Sequence, residues 1–204
     1  PPAPASEHAR DLVLGSTSRY RRELLERLRV PFIVESPDVD ETPLGGESPR
    51  ELALRLALAK ARAVARRHPQ AVVIGSDQVA DLHGEPLGKP GTHERALGQL
   101  RRMRGQVVVF QTAVAVVCDA TGFEQLELAP VSVRFRSLEE GLDDAEIEQY
   151  LRVEQPYDCA GAAKSEGLGI ALLSQIDNDD PTALVGLPLI RTCRMIRAAG
   201  IRLL

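Results

Sequence analysis

Apolar residues follow two patterns along the chain, short runs and stretches with a helical period, and these predict strands and helices in succession. Strict alternation, as in Val131, Val133 and Phe135, is typical of a strand. Strands are predicted at residues 12–14, 32–35, 72–75, 106–118, 127–136 and 169–173. Helices are predicted at residues 19–28, 48–67, 92–103, 143–153 and 188–199. This succession indicates an α/β fold.

Helix starts and loops are marked by their residue types. Ser48 and Glu51 match a capping box with Pro49 at the first helical position, and Asp143 and Glu146 repeat the capping pattern. Loops rich in glycine, proline, small or acidic residues are predicted at residues 36–47, 88–91, 159–167 and 176–181. We expect one domain over residues 11–204, after a flexible Pro/Ala-rich tail at residues 1–10.

Composition narrows the class of protein. The 204 residues are 44% apolar and 26% charged, which is typical of a folded globular chain. A net charge of −4 argues against broad nucleic-acid binding. No run is apolar enough to span a bilayer and no signal peptide is evident, so we expect no membrane partner. Cys118, Cys159 and Cys193 fit neither a disulfide framework nor a zinc site, which favours a cytoplasmic setting.

A turn of small residues between the first strand and the first helix is a candidate phosphate site. Ser16 and Ser18 lie in this turn, where free backbone N–H groups and the helix dipole favour an anion. Arg19, Arg21 and Arg22 follow at once, although cations are mildly unfavourable at a helix start. A bound phosphate would explain them, and a solvated arginine face is the alternative.

Carboxylates in two segments are candidates for metal binding and for catalysis. Asp38, Asp40 and Glu41 lie in the loop at residues 36–47, and such a loop is either solvated or supplies oxygen ligands to Mg²⁺. Asp77 is predicted just past the end of a buried strand, the usual active-site edge of an α/β sheet. There it would bind metal or activate water, or it would merely form a turn.

Lysine is rare in this chain, since 22 of the 25 basic residues are arginine. We therefore expect lysine where a compact, flexible point charge is needed. Lys60 falls on the half-buried side of a helix, Lys89 on a short rigid loop, and Lys164 among small residues that leave room for a ligand. The alternative for each is an exposed side chain. Together with the carboxylates, these cations favour phosphoanhydride chemistry.

Six segments occur in the order found in one known family, and the chain resembles the Maf-like nucleotide pyrophosphatases over residues 12–203. The segments are residues 14–25 (LGSTSRYRRELL), 38–43 (DVDETP), 59–61 (AKA), 75–78 (GSDQ), 88–90 (GKP) and 185–189 (VGLPL). The family more often has alanine at the position of Gly15, and residues 137–144 form a slightly longer stretch than usual. Neither departure involves a proposed chemical group.

The resemblance implies a curved mixed sheet flanked by helices, with two lobes around a central cleft. It implies Mg²⁺- or Mn²⁺-dependent hydrolysis of a nucleoside triphosphate to the monophosphate and pyrophosphate. Asp77 would be the proton acceptor, and Glu41 would join it as a metal-side carboxylate. Phosphate groups would be held by Ser16, Ser18, Arg21, Lys60 and Lys89.

The resemblance also favours one branch of the family. Residues 76–78 (SDQ) and 158–166 (DCAGAAKSE) differ from the corresponding segments of the branch that cleaves dTTP and UTP. They are similar to the 7-methyl-GTP branch, in which Tyr20, Gln78 and Glu166 would set specificity. A 7-methylated guanine is cationic, so an aromatic face and a carboxylate both favour it.

Several alternatives stay open. The substrate would otherwise be dTTP, UTP or another non-standard nucleotide, and a nucleotide-sensing regulator of cell division is the non-enzymatic alternative. A homodimer is compatible with the resemblance. Asp179 and Asp180 would either contribute to the site or terminate a strand.

Overall fold

The computed structural model describes residues 10–204, so most of the predicted tail at residues 1–10 lies outside the described residues. The strands are β1 (Leu12–Gly15), β2 (Ile33–Glu35), β3 (Val72–Leu82), β4 (Glu85–Leu87), β5 (Val107–Cys118), β6 (Phe123–Phe135) and β7 (Leu173–Asp177). The α-helices are α1 (Arg19–Glu26), α2 (Pro49–Ala65), α3 (His93–Met103), α4 (Asp144–Glu154) and α5 (Leu189–Ala198). The predicted α/β class is confirmed.

The strands form one mixed sheet in the order β2-β1-β3-β5-β6-β7, and β4 pairs with β3 outside this row. β1 runs parallel to β2 and β3, whereas the other pairs are antiparallel. The long strands β3, β5 and β6 contribute residues to the apolar clusters at both ends of the molecule.

The apolar core divides along these long strands. At one end, α2 packs on one face of the sheet while α1 and α5 residues pack on the other. At the other end, a separate cluster joins α3 and α4 to the far halves of the long strands. This division agrees with the expected two lobes.

Several local predictions differ from the structure. Residues 169–173 were predicted as a strand, but residues 168–172 form a 3₁₀ turn and the strand begins at Leu173. The loop predicted from residue 176 starts two residues later, because β7 continues to Asp177 and pairs there with Ser132. The short strand β4 was not predicted. Such short segments adopt their conformation from neighbouring strands, which local patterns do not reveal.

β3 does not end at residue 75 as predicted, since it continues to Leu82 alongside β5. Asp77 therefore lies inside the strand and not beyond its end. The parallel pairing with β1 nevertheless stops at Gly75, and the pairing with β4 starts only at Ala80. Residues 76–79 thus form an open edge of β3. Asp77 therefore lies just past the parallel pairing with β1, where an active-site residue of an α/β sheet is expected.

Helix α2 approaches β3 closely at Gly75. A Cβ atom there would lie 2.3 Å from the Ala57 carbonyl oxygen and 2.5 Å from the Ala61 nitrogen. The helix starts as predicted, because Ser48 and Glu51 form a reciprocal capping box. Small residues on both elements therefore set the distance between α2 and β3.

The loop at residues 36–47 is held against α2 by arginine. Arg55 binds Glu47 through two hydrogen bonds of 2.5 and 2.9 Å and donates to the Thr42 carbonyl at 3.1 Å. The Arg55 hydrogen bond, followed by the Leu44 amide, lowers the pKa of Glu47 to about 2. This clamp holds Thr42, the residue that follows Glu41, next to α2.

None of the helices within residues 10–204 combines the length and the apolar character that a membrane span requires.

We expect Gly75→Ala to destabilise the protein by about 1–3 kcal/mol, because the added methyl overlaps the backbone of α2. The measurement is the free energy of unfolding in urea. Gly98→Ala in α3 is the control, since a Cβ there meets nothing within 4 Å. That substitution should stabilise the helix by about 0.5–1 kcal/mol. Equal effects of the two variants would contradict a close contact at Gly75.

We expect Arg55→Gln to raise the pKa of Glu47 toward its ordinary value of 4.5 and to speed amide exchange in residues 36–47. A depressed carboxyl pKa stabilises the fold above the ordinary pKa, and this contribution is lost as the pH falls toward 2. Carboxyl-carbon NMR titration and hydrogen exchange measure both effects. Arg62→Gln is the matched control, because Arg62 on the same helix binds Glu124 instead. An unchanged Glu47 pKa in Arg55→Gln would exclude the clamp.

Candidate active site

A cleft with a volume of about 350 Å³ lies at the open edge of β3. Segments from both ends of the molecule line it, including the start of α1, the middle of α2 and the loop that precedes α3. Nine of the predicted site residues line this cleft: Ser18, Tyr20, Arg21, Glu41, Lys60, Asp77, Gln78, Lys89 and Glu166. The structure therefore brings together residues separated by almost 150 positions in sequence.

A buried lysine joins the two candidate carboxylates. The Lys60 ammonium lies 2.8 Å from Asp77 Oδ1 and 3.0 Å from Glu41 Oε1. The Lys60 and Asp77 side chains are only 7% and 9% exposed. Lys60 points toward Asp77 because α2 contacts β3 at Gly75, two residues before Asp77 on the same face of the strand.

Burial raises the pKa of Asp77, and the charges of Lys60 and Arg21 partly oppose that rise. A carboxylate with a raised pKa is better matched to accepting a proton near neutral pH. Lys60 nevertheless gives the carboxylate a hydrogen-bonded counterion. Asp77 is thus suited to act as a general base.

Arg21 is a buried cation without a direct carboxylate partner among residues 10–204. Its Nε donates to the Gly186 carbonyl at 2.7 Å, and the residue is 9% exposed. Burial lowers the pKa of Arg21, while the nearby charges of Asp77 and Glu41 oppose this shift. A buried guanidinium that lines a cleft favours an anionic ligand.

The motif at residues 185–189, for which the sequence suggested no role, positions other residues through the backbone of Gly186. Gly186 has a φ of 128°, and its carbonyl accepts from both Arg21 and Ser76. A side chain would be strained at this φ. The motif thus positions Arg21 through a backbone oxygen, and residue chemistry in the sequence gave no signal for that contact.

The turn before α1 is built as a helix start. Ser18 is the N-cap of α1, and its Oγ accepts from the Arg21 amide at 3.4 Å. Ser16 is buried outside the cleft lining, and its Oγ accepts from the Ser18 amide at 3.1 Å. Of the three arginines, Arg21 lines the cleft, whereas Arg22 pairs with Glu26 and Arg19 donates to the Tyr20 hydroxyl.

Lys89 lines the cleft from the exposed loop after β4. Hydrogen bonds to backbone atoms hold this loop, because Gly161 and Gln99 both donate to the Gly88 carbonyl. The Gly91 amide also donates to the Tyr157 carbonyl at 2.9 Å. Lys89 and Arg21 therefore line one cleft from two different segments of the chain.

An aromatic and acidic wall forms another part of the cleft. The Tyr20 hydroxyl donates to Asp158 at 3.0 Å, and Glu166 lies near Asp158. Partial burial first, and the charges of Glu154 and Asp158 next, raise the pKa of Glu166, and Lys164 opposes the shift. Asp158 was not among the predicted site residues, although the sequence signal was available in the small-residue loop that it precedes.

Gln78 lies on the face of β3 opposite Asp77. Its amide nitrogen contacts Thr112 Oγ1 and the carbonyls of Ala183 and Leu184, at 2.9–3.0 Å. These contacts fix the orientation of the side chain. The amide oxygen is the part of Gln78 left to accept a hydrogen bond from a ligand.

Three candidate residues lie elsewhere. The Lys164 ammonium pairs with Glu154 and is not part of the cleft lining, so its role in substrate binding stays a prediction. Asp180 is buried and accepts from the Ile190 and Arg191 amides at the start of α5. Asp179 binds the Arg191 side chain at 3.0 Å. Both aspartates therefore stabilise the start of α5.

The carboxylates of Glu41 and Asp77 fit a divalent ion by the chemistry of their oxygens. Mg²⁺ is typically held by one or two carboxylates together with substrate phosphate oxygens. Within residues 10–204, no group of three or more His, Cys, Asp or Glu side chains is arranged to hold a metal by itself. A metal held by these two carboxylates would take its remaining ligands from water or from substrate phosphate oxygens.

Comparison with known proteins identifies the family. A 7-methyl-GTP pyrophosphatase of Polaromonas sp. is 76% identical over 96% of this chain and 87% of its own length. Proteins of the same name from Albidiferax ferrireducens and Cupriavidus pinatubonensis are 69% and 58% identical, over 96% and 93% of each chain. Residues 11–199 match the family described as Maf-like protein. The chain therefore belongs to the Maf-like protein family.

Proposed function

We propose that this protein hydrolyses the α–β phosphoanhydride of a nucleoside triphosphate, with 7-methyl-GTP as the preferred substrate. The products are the nucleoside monophosphate and pyrophosphate, so the enzyme removes a modified nucleotide. The observation that carries this proposal is buried Asp77, hydrogen-bonded to Lys60 at 2.8 Å and near the buried cation Arg21. The three relatives named for this activity support it.

The charges of the cleft suit the two ends of such a substrate. Arg21, Lys60 and Lys89 provide cations for the phosphates, and the N-cap Ser18 adds a hydroxyl and the start of a helix. Tyr20 and Glu166 lie on the acidic wall, where a cationic base would be favoured. The preference for the methylated base follows from this separation of charge.

In the proposed reaction, Asp77 accepts the proton of the attacking water. Lys60 orients the Asp77 carboxylate through its hydrogen bond, and Arg21 and Lys89 stabilise the charge that develops on the leaving pyrophosphate. A divalent metal ion, proposed as Mg²⁺ or Mn²⁺, would neutralise phosphate charge when held by Glu41 and Asp77. A cytoplasmic location and a homodimer stay predictions.

We expect metal-dependent release of pyrophosphate that is fastest from 7-methyl-GTP. The experiment compares 7-methyl-GTP, GTP, dTTP, UTP and ITP with Mg²⁺ and with a chelator. Faster release from another nucleotide would keep the chemistry and overturn the assigned roles of Tyr20, Gln78 and Glu166. Tight binding of a nucleotide without turnover would favour the sensing alternative.

We expect Asp77→Asn to lower kcat by about 10²–10⁴-fold, because the amide does not accept the proton from water. Substrate affinity should change much less, as measured by titration with 7-methyl-GTP. Asp177→Asn on exposed β7 is the control for a neutralised aspartate outside the cleft. Wild-type turnover in Asp77→Asn would exclude Asp77 as the base.

A further inference from the structure

We propose that Asp158 is a specificity-determining residue. Its carboxylate favours a cationic base, and the guanidinium of Arg19 competes with that base for the carboxylate. This inference rests on the proposed function and adds two residues to it. It starts from the contacts that Arg19, Tyr20 and Asp158 make with one another at the acidic wall of the cleft.

The three side chains form a closed set of contacts. The Arg19 Nη2 atom donates to the Tyr20 hydroxyl at 2.8 Å, and that hydroxyl donates to Asp158 Oδ1 at 3.0 Å. Arg19 also lies 3.8 Å from Asp158 Oδ2. The guanidinium carbon of Arg19 is 4.8 Å from the centre of the Tyr20 ring. Tyr20 and Asp158 thus already hold a flat cation.

That cation resembles the proposed ligand in its physical properties. A guanidinium is planar and delocalised, stacks on aromatic rings and pairs with carboxylates. A 7-methylated guanine ring is also planar and carries delocalised positive charge. The groups that hold Arg19 are therefore the groups that would hold such a base.

A ligand can displace the Arg19 side chain with little loss of free energy. Its side chain is 65% exposed, and its ion pair with Asp158 is long. Exposed pairs of this kind are weak. A cationic base can replace Arg19 at Asp158 and gain an ion pair in exchange, whereas a neutral base gains no ion pair there and binds with Arg19 still in place. Asp158 consequently distinguishes the two bases by charge.

The surroundings of Asp158 leave its charge accessible at the cleft. Its side chain is 52% exposed, and its polar contacts within residues 10–204 are with Tyr20, Arg19 and the Cys159 thiol. Burial raises the pKa of that thiol to about 12, so Cys159 stays neutral and adds no charge. The negative charge of the wall comes from Asp158 and Glu166.

The test measures kcat/KM for 7-methyl-GTP and for GTP in two variants with opposite expected effects. Asp158→Asn keeps a hydrogen-bond acceptor for Tyr20, and we expect it to lower the ratio of the two kcat/KM values by about threefold to fivefold. Arg19→Gln removes the competing cation, and we expect it to raise the ratio by about twofold to threefold. Asp158→Glu should keep most of the preference.

The matched control is Asp179→Asn, which changes the net charge equally at another exposed aspartate paired with an arginine. It should leave the ratio unchanged. Equal losses for both nucleotides in Asp158→Asn would mean that Asp158 only supports Tyr20, and this would overturn the inference. An unchanged ratio would overturn it as well.

A binding measurement separates this inference from the proposed function. The dissociation constants of 7-methyl-GMP and GMP, measured by calorimetry, do not depend on turnover. If the wild type releases no pyrophosphate, the proposed function fails, and the ratio of these constants alone decides the inference. If turnover is found but neither variant moves this ratio, the inference fails and the function stands.

Discussion

The close contact between α2 and β3 determines where the chemistry of this protein lies. Gly75 leaves no room for a side chain between the strand and the backbone of Ala57 and Ala61. Lys60 consequently reaches Asp77, and the same ammonium holds Glu41 from the loop that Arg55 clamps. One helix therefore orders a base, a counterion and a second carboxylate. Because these groups are buried, each charge needs a partner, since an unpaired charge at such a site would cost folding free energy.

The second determinant is an interruption of pairing along β3. β1 ends beside Gly75 and β4 ends beside Ala80, so the edge of β3 between these two positions is free while β5 continues on the other side. Side chains on successive residues point to opposite faces of the sheet. Asp77 therefore faces α2, and Gln78 faces the segment that contains Leu184. The cleft reaches both faces only because the edge is open.

Positively and negatively charged side chains lie in different parts of the cleft. Cations lie near the start of α1, on α2 and on the loop after β4, whereas Tyr20, Asp158 and Glu166 form an acidic wall. Neighbours in sequence have different partners, since the Arg19 guanidinium lies over the Tyr20 ring while Arg21 donates to the Gly186 carbonyl. A triphosphate with a cationic base matches this division better than a neutral nucleotide does.

The sequence by itself determined the α/β class, the caps of α2 and the order of the motifs, because these depend on local periodicity and on residue chemistry. It also singled out Asp77, Lys60, Glu41 and Arg21, which the fold then placed in one cleft. Only the tertiary structure decided that β3 passes through Asp77, that Lys164 turns to Glu154 and that Asp158 joins Tyr20. Those outcomes depend on partners distant in sequence, and a local pattern carries no information about which strand or carboxylate will lie alongside.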